Sequence, residues 1–333
     1  MKKIISINLG NWFVLERWMK PSLFEKNGVV GKDETAFSIQ VENLEEVLDE
    51  HYKTWITVED IRWIKEAGFN LVRVPIPWWL FGEGIYNRSV EYIDEAFKMI
   101  ASEGMDFMID LHTAPGCQNG FDNGGIEGVI DWHKVERNIE KTIQILEVIA
   151  RRYKDFDHFH SIQLLNEPHF LTDLHIIREF YKSAYYRLRK IIPEKIIVMH
   201  DAFRIYEWEE FFVTNNFTNV ILDTHMYQCF GKHSLHYDED AHIKSALNRK
   251  VVLKEIEKFV PVIVGEWSLG LGFNEHINTS NINRVEKAYA KAQLEGMREC
   301  TGHTFWSYKI ETHESGWNFR GLVERGIIDL KEL

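Results

Sequence analysis

The chain carries only three cysteines, Cys117, Cys229 and Cys300. They cannot all pair within one chain, and they lack the close spacing of a zinc site. A reducing compartment is the simpler expectation, and the protein is expected to be cytoplasmic. Its start, MKKIISINLG, has a short apolar run that Asn8 interrupts well before the length of a signal-peptide core. Long apolar runs are absent too: no window approaches the roughly 20 residues that a spanning helix needs. Basic charge is scarce, with 39 Lys and Arg against 51 Asp and Glu for a net charge of −12. That balance disfavours nucleic acid and anionic membrane as partners, since both require clustered cations. There is no glycine-rich phosphate loop after the first apolar run and no Gly-x-Ser-x-Gly elbow, so nucleotide binding and serine-hydrolase chemistry lose support. No linker, repeat or low-complexity tract divides the chain.

What is present is a regular alternation. A hydrophobic content of 45% with 27% charged residues allows a large core. Short apolar runs at residues 4–9, 71–74, 105–111, 159–165, 196–200, 220–224, 262–265 and 304–307 read as eight strands. Amphipathic patterns between them read as helices over residues 58–67, 90–102, 133–153, 173–191 and 281–299. The first of these is opened by Thr57 with Asp60 three residues on, a capping box, and Gly68 and Gly104 are placed to close two helices with a left-handed cap. Eight strands alternating with helices predict an α/β fold, a single (β/α)8 barrel domain spanning residues 1–333 with an insertion at 21–55 after strand one.

In such a barrel the loops after the strands form the working face. Two glutamates, Glu167 in IQLLNEPH and Glu266 in VIVGEWS, stand where apolar runs end. Paired carboxylates at one rim suit glycosidic-bond hydrolysis, in which one protonates the leaving oxygen and the other attacks or activates water. Asn11, Trp12, Glu16, Arg73, Trp78, His112, Asn166, His200, Asp201, His225, Tyr227, Trp267 and Trp306 fall at the same strand ends. Each has a structural alternative. Arg73 is either a core arginine neutralising a carboxylate or the group that holds Glu266 ionised. His112, His225 and Tyr227 are either satisfied structural groups or partners of sugar hydroxyls and of the nucleophile. Trp306 differs from the core tryptophans because its face could pack against a pyranose ring. His233, His236 and His242 lack matching ligands at helical spacing, so no metal is expected.

With these residues in hand, the chain resembles glycoside hydrolase family 5, in its branch of exo-β-1,3-glucanases. The resemblance rests on nine stretches in order: INLGNWFVLERWMKPSLF, TWIT, AGFNLVRVPIPWW, IDLHTAPGCQNGFDNGG, LLNEPH, HDAF, DTHMYQCF, VGEWS and FWSYK. It implies retaining hydrolysis with Glu167 as acid/base and Glu266 as nucleophile. Asn166 would bond the sugar 2-hydroxyl, Arg73 and Tyr227 would position Glu266, and His112 and His225 would line the glucose subsite. Glu16, Asp122 and Asn123 would contact distal hydroxyls at the far end of the pocket, with Trp306 as its floor. Phe121 and Phe230 correspond to an aromatic pair that grips the next sugar. The sequence departs from the family at Asn11, where relatives commonly carry glycine, and follows it loosely over residues 231–258.

The expected activity is therefore that of a retaining, exo-acting β-glucosidase on β-1,3-linked, β-1,6-linked or aryl glucosides. The substrate is a β-glucan oligosaccharide or β-glucoside, and no metal or organic cofactor is called for. Two alternatives use the same residues: an endo-β-1,4-glucanase or mannanase, and a catalytically silent carbohydrate-binding barrel.

Overall fold

Period-two alternation decides what the interior of this molecule holds. The computed structural model describes residues 2–231, 234–271 and 281–333. Eight parallel strands close into a barrel in chain order: β1 (Ile4–Asn8), β2 (Leu71–Ile76), β3 (Asp106–Leu111), β4 (Phe159–Gln163), β5 (Ile196–His200), β6 (Val220–His225), β7 (Val262–Trp267) and β8 (Gly302–Phe305). Inward positions at the strand starts, among them Ile4, Leu71, Met108, Val198, Ile221 and Ile263, form an apolar plug. Two residues on, the same faces present Ser6, Arg73, Asp110, His200 and Asp223, all fully buried. Successive side chains on a strand point to opposite faces, so these polar groups stack directly above the plug. The barrel is sealed at one end and chemically equipped at the other.

Helices shield the outer faces of the strands, whose Val72, Ile109, Ile162, Ile197, Leu222 and Val264 enter the main core. Between β1 and β2 lie α1 (Pro21–Lys26), α2 (Glu34–Gln40), α3 (Leu44–Thr54) and α4 (Val58–Glu66). The first three are the expected insertion. α5 (Val90–Ser102), α6 (Glu136–Tyr153), α7 (Leu174–Arg189), α8 (Glu209–Asn215), α9 (Glu239–Ile256), α10 (Ile282–Gly296) and α11 (Phe319–Glu324) follow the later strands. The Thr57 capping box forms on both sides, and Gly68 and Gly104 take positive φ values of 97° and 68°.

Three helices outside the insertion, α8, α9 and α11, escape the sequence reading. α9 buries His242, Ala246, Arg249, Leu253 and Ile256, an ideal helical spacing whose face includes a histidine and an arginine, so apolar periodicity alone does not reveal it. α8 and α11 are too short to show a pattern. Several boundaries also move. β4 ends at Gln163, because Leu164 and Leu165 both turn outward into the core. β2 runs on through Pro75 to Ile76, and β8 begins earlier, at Gly302.

The insertion carries a buried acid. Glu34, 1% exposed, accepts the Leu15 N–H at 2.7 Å and so fixes the loop after β1. Burial pushes its carboxyl up to about 8, against the pull of that hydrogen bond. A carboxyl whose folded value lies above its unfolded one binds more protons when folded, so its contribution falls as pH climbs from about 4.3 to 8. Glu34→Gln keeps the acceptor without the titration. The gap in thermal midpoint between Glu34→Gln and the parent is expected to widen in the variant's favour from pH 5 to pH 8; parallel curves would contradict this.

Candidate active site

A register shift brings Glu266 into the barrel. On β7, Val262 and Val264 face the helices while Ile263 faces the interior plug. Strict alternation would send Glu266 outward with the valines. Pairing with β6 shifts between Thr224 and His225, and pairing with β8 shifts between Val264 and Trp267. The irregularity turns Glu266 inward, opposite His225, and sends Trp267 into the outer core. Glu167 reaches the same rim by a different device: it follows β4 in a left-handed conformation, φ 45°. For a residue other than glycine that conformation is unfavourable by about 1 kcal/mol or more, and it leaves Asn166 and Glu167 both buried at the mouth.

Both oxygens of Glu266 accept hydrogen bonds: Oε1 from Arg73 Nη1 at 2.9 Å, Oε2 from the Tyr227 hydroxyl at 2.7 Å. Glu167 Oε2 accepts from Asn123 Nδ2 at 2.9 Å, and its Oε1 lies 2.6 Å from His225 Nδ1. The same Nδ1 lies 3.4 Å from Glu266 Oε2. These contacts of 2.6 and 3.4 Å on one nitrogen bound the separation of the two carboxylate oxygens at 6.0 Å.

Arg73 organises the floor. Its guanidinium donates to Gln163 at 2.9 Å, Asn8 at 2.8 Å and Asn166 at 2.8 Å, besides Glu266, and pairs with Asp110 at 3.1 Å. Asp110 Oδ2 also meets His112 Nδ1 at 2.6 Å, and Trp306 stacks on the His112 ring at 5.5 Å and 7°. On the opposite side Asp223 accepts from Gln163 and from the Gly265 N–H, both at 2.7 Å, and meets His225 Nε2 at 3.2 Å. A Cβ on residue 265 would overlap the Asp223 carboxylate, which is why glycine stands there.

Burial dominates the electrostatics, and specific charges redirect it. Burial would raise Glu167, but the hydrogen bond and charge of His225, with the Asn123 hydrogen bond in support, bring it down to about 2. Burial opposes the charge on His225, yet Glu266, Asp223 and Glu167 together lift its proton affinity well above the ordinary histidine range. Glu266 is raised by burial and by the Glu167 charge, against His225 and Arg73. The Arg73 and Tyr227 donors on its two oxygens favour its charged form. Burial lowers His200 to about 3, so that ring is neutral.

The structure thus gathers Glu167, Glu266, Arg73, Asn166, His225 and Tyr227 into one bonded network, with His112 and Trp306 attached through Asp110. Asn123, expected at the far end with Glu16 and Asp122, donates Nδ2 to Glu167 while its backbone N–H donates to Asp122 at 3.1 Å. Glu16 is 4% exposed, accepts Trp18 Nε1 at 2.9 Å, and is raised by burial and then by the Asp122 charge. Glu16 Oε1, His112 Nε2 and Asn166 Nδ2 are buried and have no hydrogen-bond partner among the described residues, as groups made to meet ligand hydroxyls would be. Phe121, 38% exposed, and Phe230, 67% exposed, lie outside the network. Phe121 contacts His169, whereas Phe230 joins Tyr227 and Trp317.

Residues missed by the sequence reading are Asp110, Gln163, Asp223 and Trp317. The first three had a signal: each is a polar residue inside an apolar run, and Asp110 and Asp223 stand two residues before a site histidine on the same strand face. Trp317 had none, since it lies in the loop after β8.

One group among the described residues offers three possible metal-ligand atoms within 4.8 Å, namely Glu167, His200 and His225. Both His225 nitrogens are engaged by carboxylates, and His200 Nδ1 accepts the Ala202 N–H at 3.0 Å. Only His200 Nε2 remains, so this donor set does not fit a metal. His233 lies outside the described residues.

The model of the family described as Cellulase (glycosyl hydrolase family 5) matches residues 32–312. A probable glucan 1,3-β-glucosidase A of Emericella nidulans is 34% identical over 98% of this chain and 90% of its own. A glucan 1,3-β-glucosidase of Blumeria graminis is 32% identical over 98% of this chain and 87% of its own. Among solved structures, a rutinosidase from Aspergillus niger superposes with a TM-score of 0.84 at 19% identity, covering 99% and 98% of the two chains. An endoglucanase from Thermotoga maritima gives 0.61 at 20% identity, covering 81% and 89%. These two likenesses establish the barrel fold.

Proposed function

Because this chain belongs to glycosyl hydrolase family 5 and is a glycosidase, we propose that it is an exo-acting β-glucosidase that releases glucose from the non-reducing end of β-1,3-linked glucosides, with Glu167 as acid/base and Glu266 as nucleophile. The observation that carries the reading is the 6.0 Å bound between the carboxylate oxygens. Retaining enzymes hold their carboxyl groups about 5 to 5.5 Å apart, whereas inverting ones need about 6.5 to 9.5 Å to admit a water. In the first half-reaction Glu266 attacks the anomeric carbon while Glu167 protonates the leaving oxygen. In the second, water resolves the ester with Glu167 as base. Arg73 and Tyr227 orient the nucleophile, and Asn166 Nδ2 is free to bond the 2-hydroxyl.

Exo action is supported by the closed far end. The insertion after β1 is tied to the loop after β3: Thr35 N–H donates to Gly125 O at 3.1 Å, Glu127 N–H donates to Asp33 at 2.9 Å, and Lys32 pairs with Glu127 at 2.7 Å. Glu16 joins that junction through an antiparallel bridge with Asp33. A chain-internal bond would need an open groove on both sides. Glucan 1,3-β-glucosidase relatives that match nearly the whole chain support the β-1,3 linkage. The three free cysteines suit a reducing, cytoplasmic setting, and we take the whole chain to act as one catalytic domain.

The test is a panel of β-1,3, β-1,4 and β-1,6 glucobioses, aryl β-glucosides and laminari-oligosaccharides. Glucose as the sole product, with the β-1,3 substrates fastest, is expected. A ladder of cello-oligosaccharides would replace this reading with an endo-glucanase, and no turnover of any would favour a binding barrel.

A further inference from the structure

His225 touches both proposed catalytic carboxylates, and nothing in the double-displacement scheme requires it to. Its Nδ1 points at Glu167 Oε1 from 2.6 Å, with Glu266 Oε2 at 3.4 Å, while Asp223 holds Nε2 at 3.2 Å. Asp223 is itself immobilised by Gln163 and the Gly265 N–H. The imidazole is thus clamped between carboxylates on three sides, and as an imidazolium both of its N–H groups find an acceptor. A neutral ring would leave the Nδ1 lone pair facing Glu167, satisfied only when that carboxyl carries the proton. We propose that in the resting enzyme the acid proton resides on His225, and that His225 hands it to Glu167 as Glu266 is consumed by glycosylation.

The charges around the ring explain why the transfer is timed. Facing His225 are Glu167 after β4, neutral His200 on β5 with its ring 4.4 Å away at 77°, and Asp201 after β5. Asp223 faces it on β6 itself, Glu266 on β7, and Arg73 approaches from β2 through its bond to Glu266. Glu266, Asp223 and Glu167 together hold the proton on the ring, and the reaction removes the Glu266 charge. When a Glu266 oxygen bonds the anomeric carbon, the carboxylate becomes a neutral ester. The hold on the proton weakens at the moment the leaving oxygen needs it.

Atoms balance over the cycle. In the first half-reaction the Nδ1 proton moves to Glu167, converting imidazolium to imidazole. Glu167 passes a proton to the glycosidic oxygen as the bond from that oxygen to the anomeric carbon breaks and the Glu266 ester forms. In the second, Glu167 takes a proton from the attacking water, the ester breaks, Glu266 regains its charge, and the proton returns to Nδ1. Glu167 is then a relay between ring and substrate, and the pair titrates as a unit.

This inference rests on the acid/base and nucleophile roles proposed above. Its test is nitrogen NMR of the ¹⁵N-histidine-labelled enzyme, titrated free and after trapping with a 2-fluoro-glucosyl donor. The His225 signal is assigned by its loss in His225→Gln or, should that variant not fold, by through-bond correlation of its ring and backbone resonances. The free enzyme is expected to show an imidazolium at pH 7. Esterifying Glu266 is expected to lower the midpoint by about one unit or more, the usual effect of losing an adjacent opposite charge. A neutral His225 in the free enzyme, or a midpoint that trapping leaves in place, would overturn the proposal while leaving the glycosidase reading intact. Failure to trap any glycosyl ester on Glu266 would overturn both.

Discussion

Glu266→Ala is expected to abolish turnover of laminari-oligosaccharides, by roughly 10⁴-fold or more, as loss of an activated nucleophile does. A bulge places Glu266 inward, and Arg73 and Tyr227 each occupy one of its oxygens. Deleting the side chain leaves the Glu167 side of the site in place but removes the atom that forms the new bond. Azide supplied in its stead should attack from the vacated face and give the inverted α-glucosyl azide. Restored turnover by azide with that product is the expected result; undiminished activity in the variant without azide would remove Glu266 from the role.

Arg73→Ala carries the second large effect, and it falls on stability as well as on rate. Arg73 is fully buried and is the cation paired with Asp110 and Glu266. Taking one partner from a buried ion pair strands the other in a poorly solvating interior and typically destabilises by about 3 to 5 kcal/mol. Here it also leaves the acceptors of Asn8, Gln163 and Asn166 without their donor. Arg73→Lys should recover part of the stability, since one ammonium restores the charge without matching the spread of the guanidinium donors. Urea melts of the three proteins check this. An Arg73→Ala midpoint equal to that of the parent would show that the network contributes nothing.

These two residues also show how legibility varied along the chain. Arg73 and Glu266 were visible because strand ends in a βα alternation define a common rim, and any polar residue there invites a functional question. Their partners Asp110, Gln163 and Asp223 were less visible, since a polar residue in an apolar run reads as an interruption until barrel closure makes the inward face of every strand count. The bulge that turns Glu266 inward left no trace in the sequence: VIVGEW alternates equally well with the glutamate facing either way. α9 was lost for the converse reason, a regular helix whose buried stripe is partly polar. The hydrogen bond from Asn123 to Glu167 is likewise invisible in sequence, because it depends on how the loop after β3 folds back.

The central claim is that two carboxylates within 6.0 Å of each other cleave a glucosidic bond by double displacement at a chain end. Proton NMR of the anomers formed in the first minutes of laminaritriose hydrolysis tests it most directly. Glucose appearing first as the β-anomer and only later equilibrating is the result expected. Glucose appearing first as the α-anomer would contradict the account.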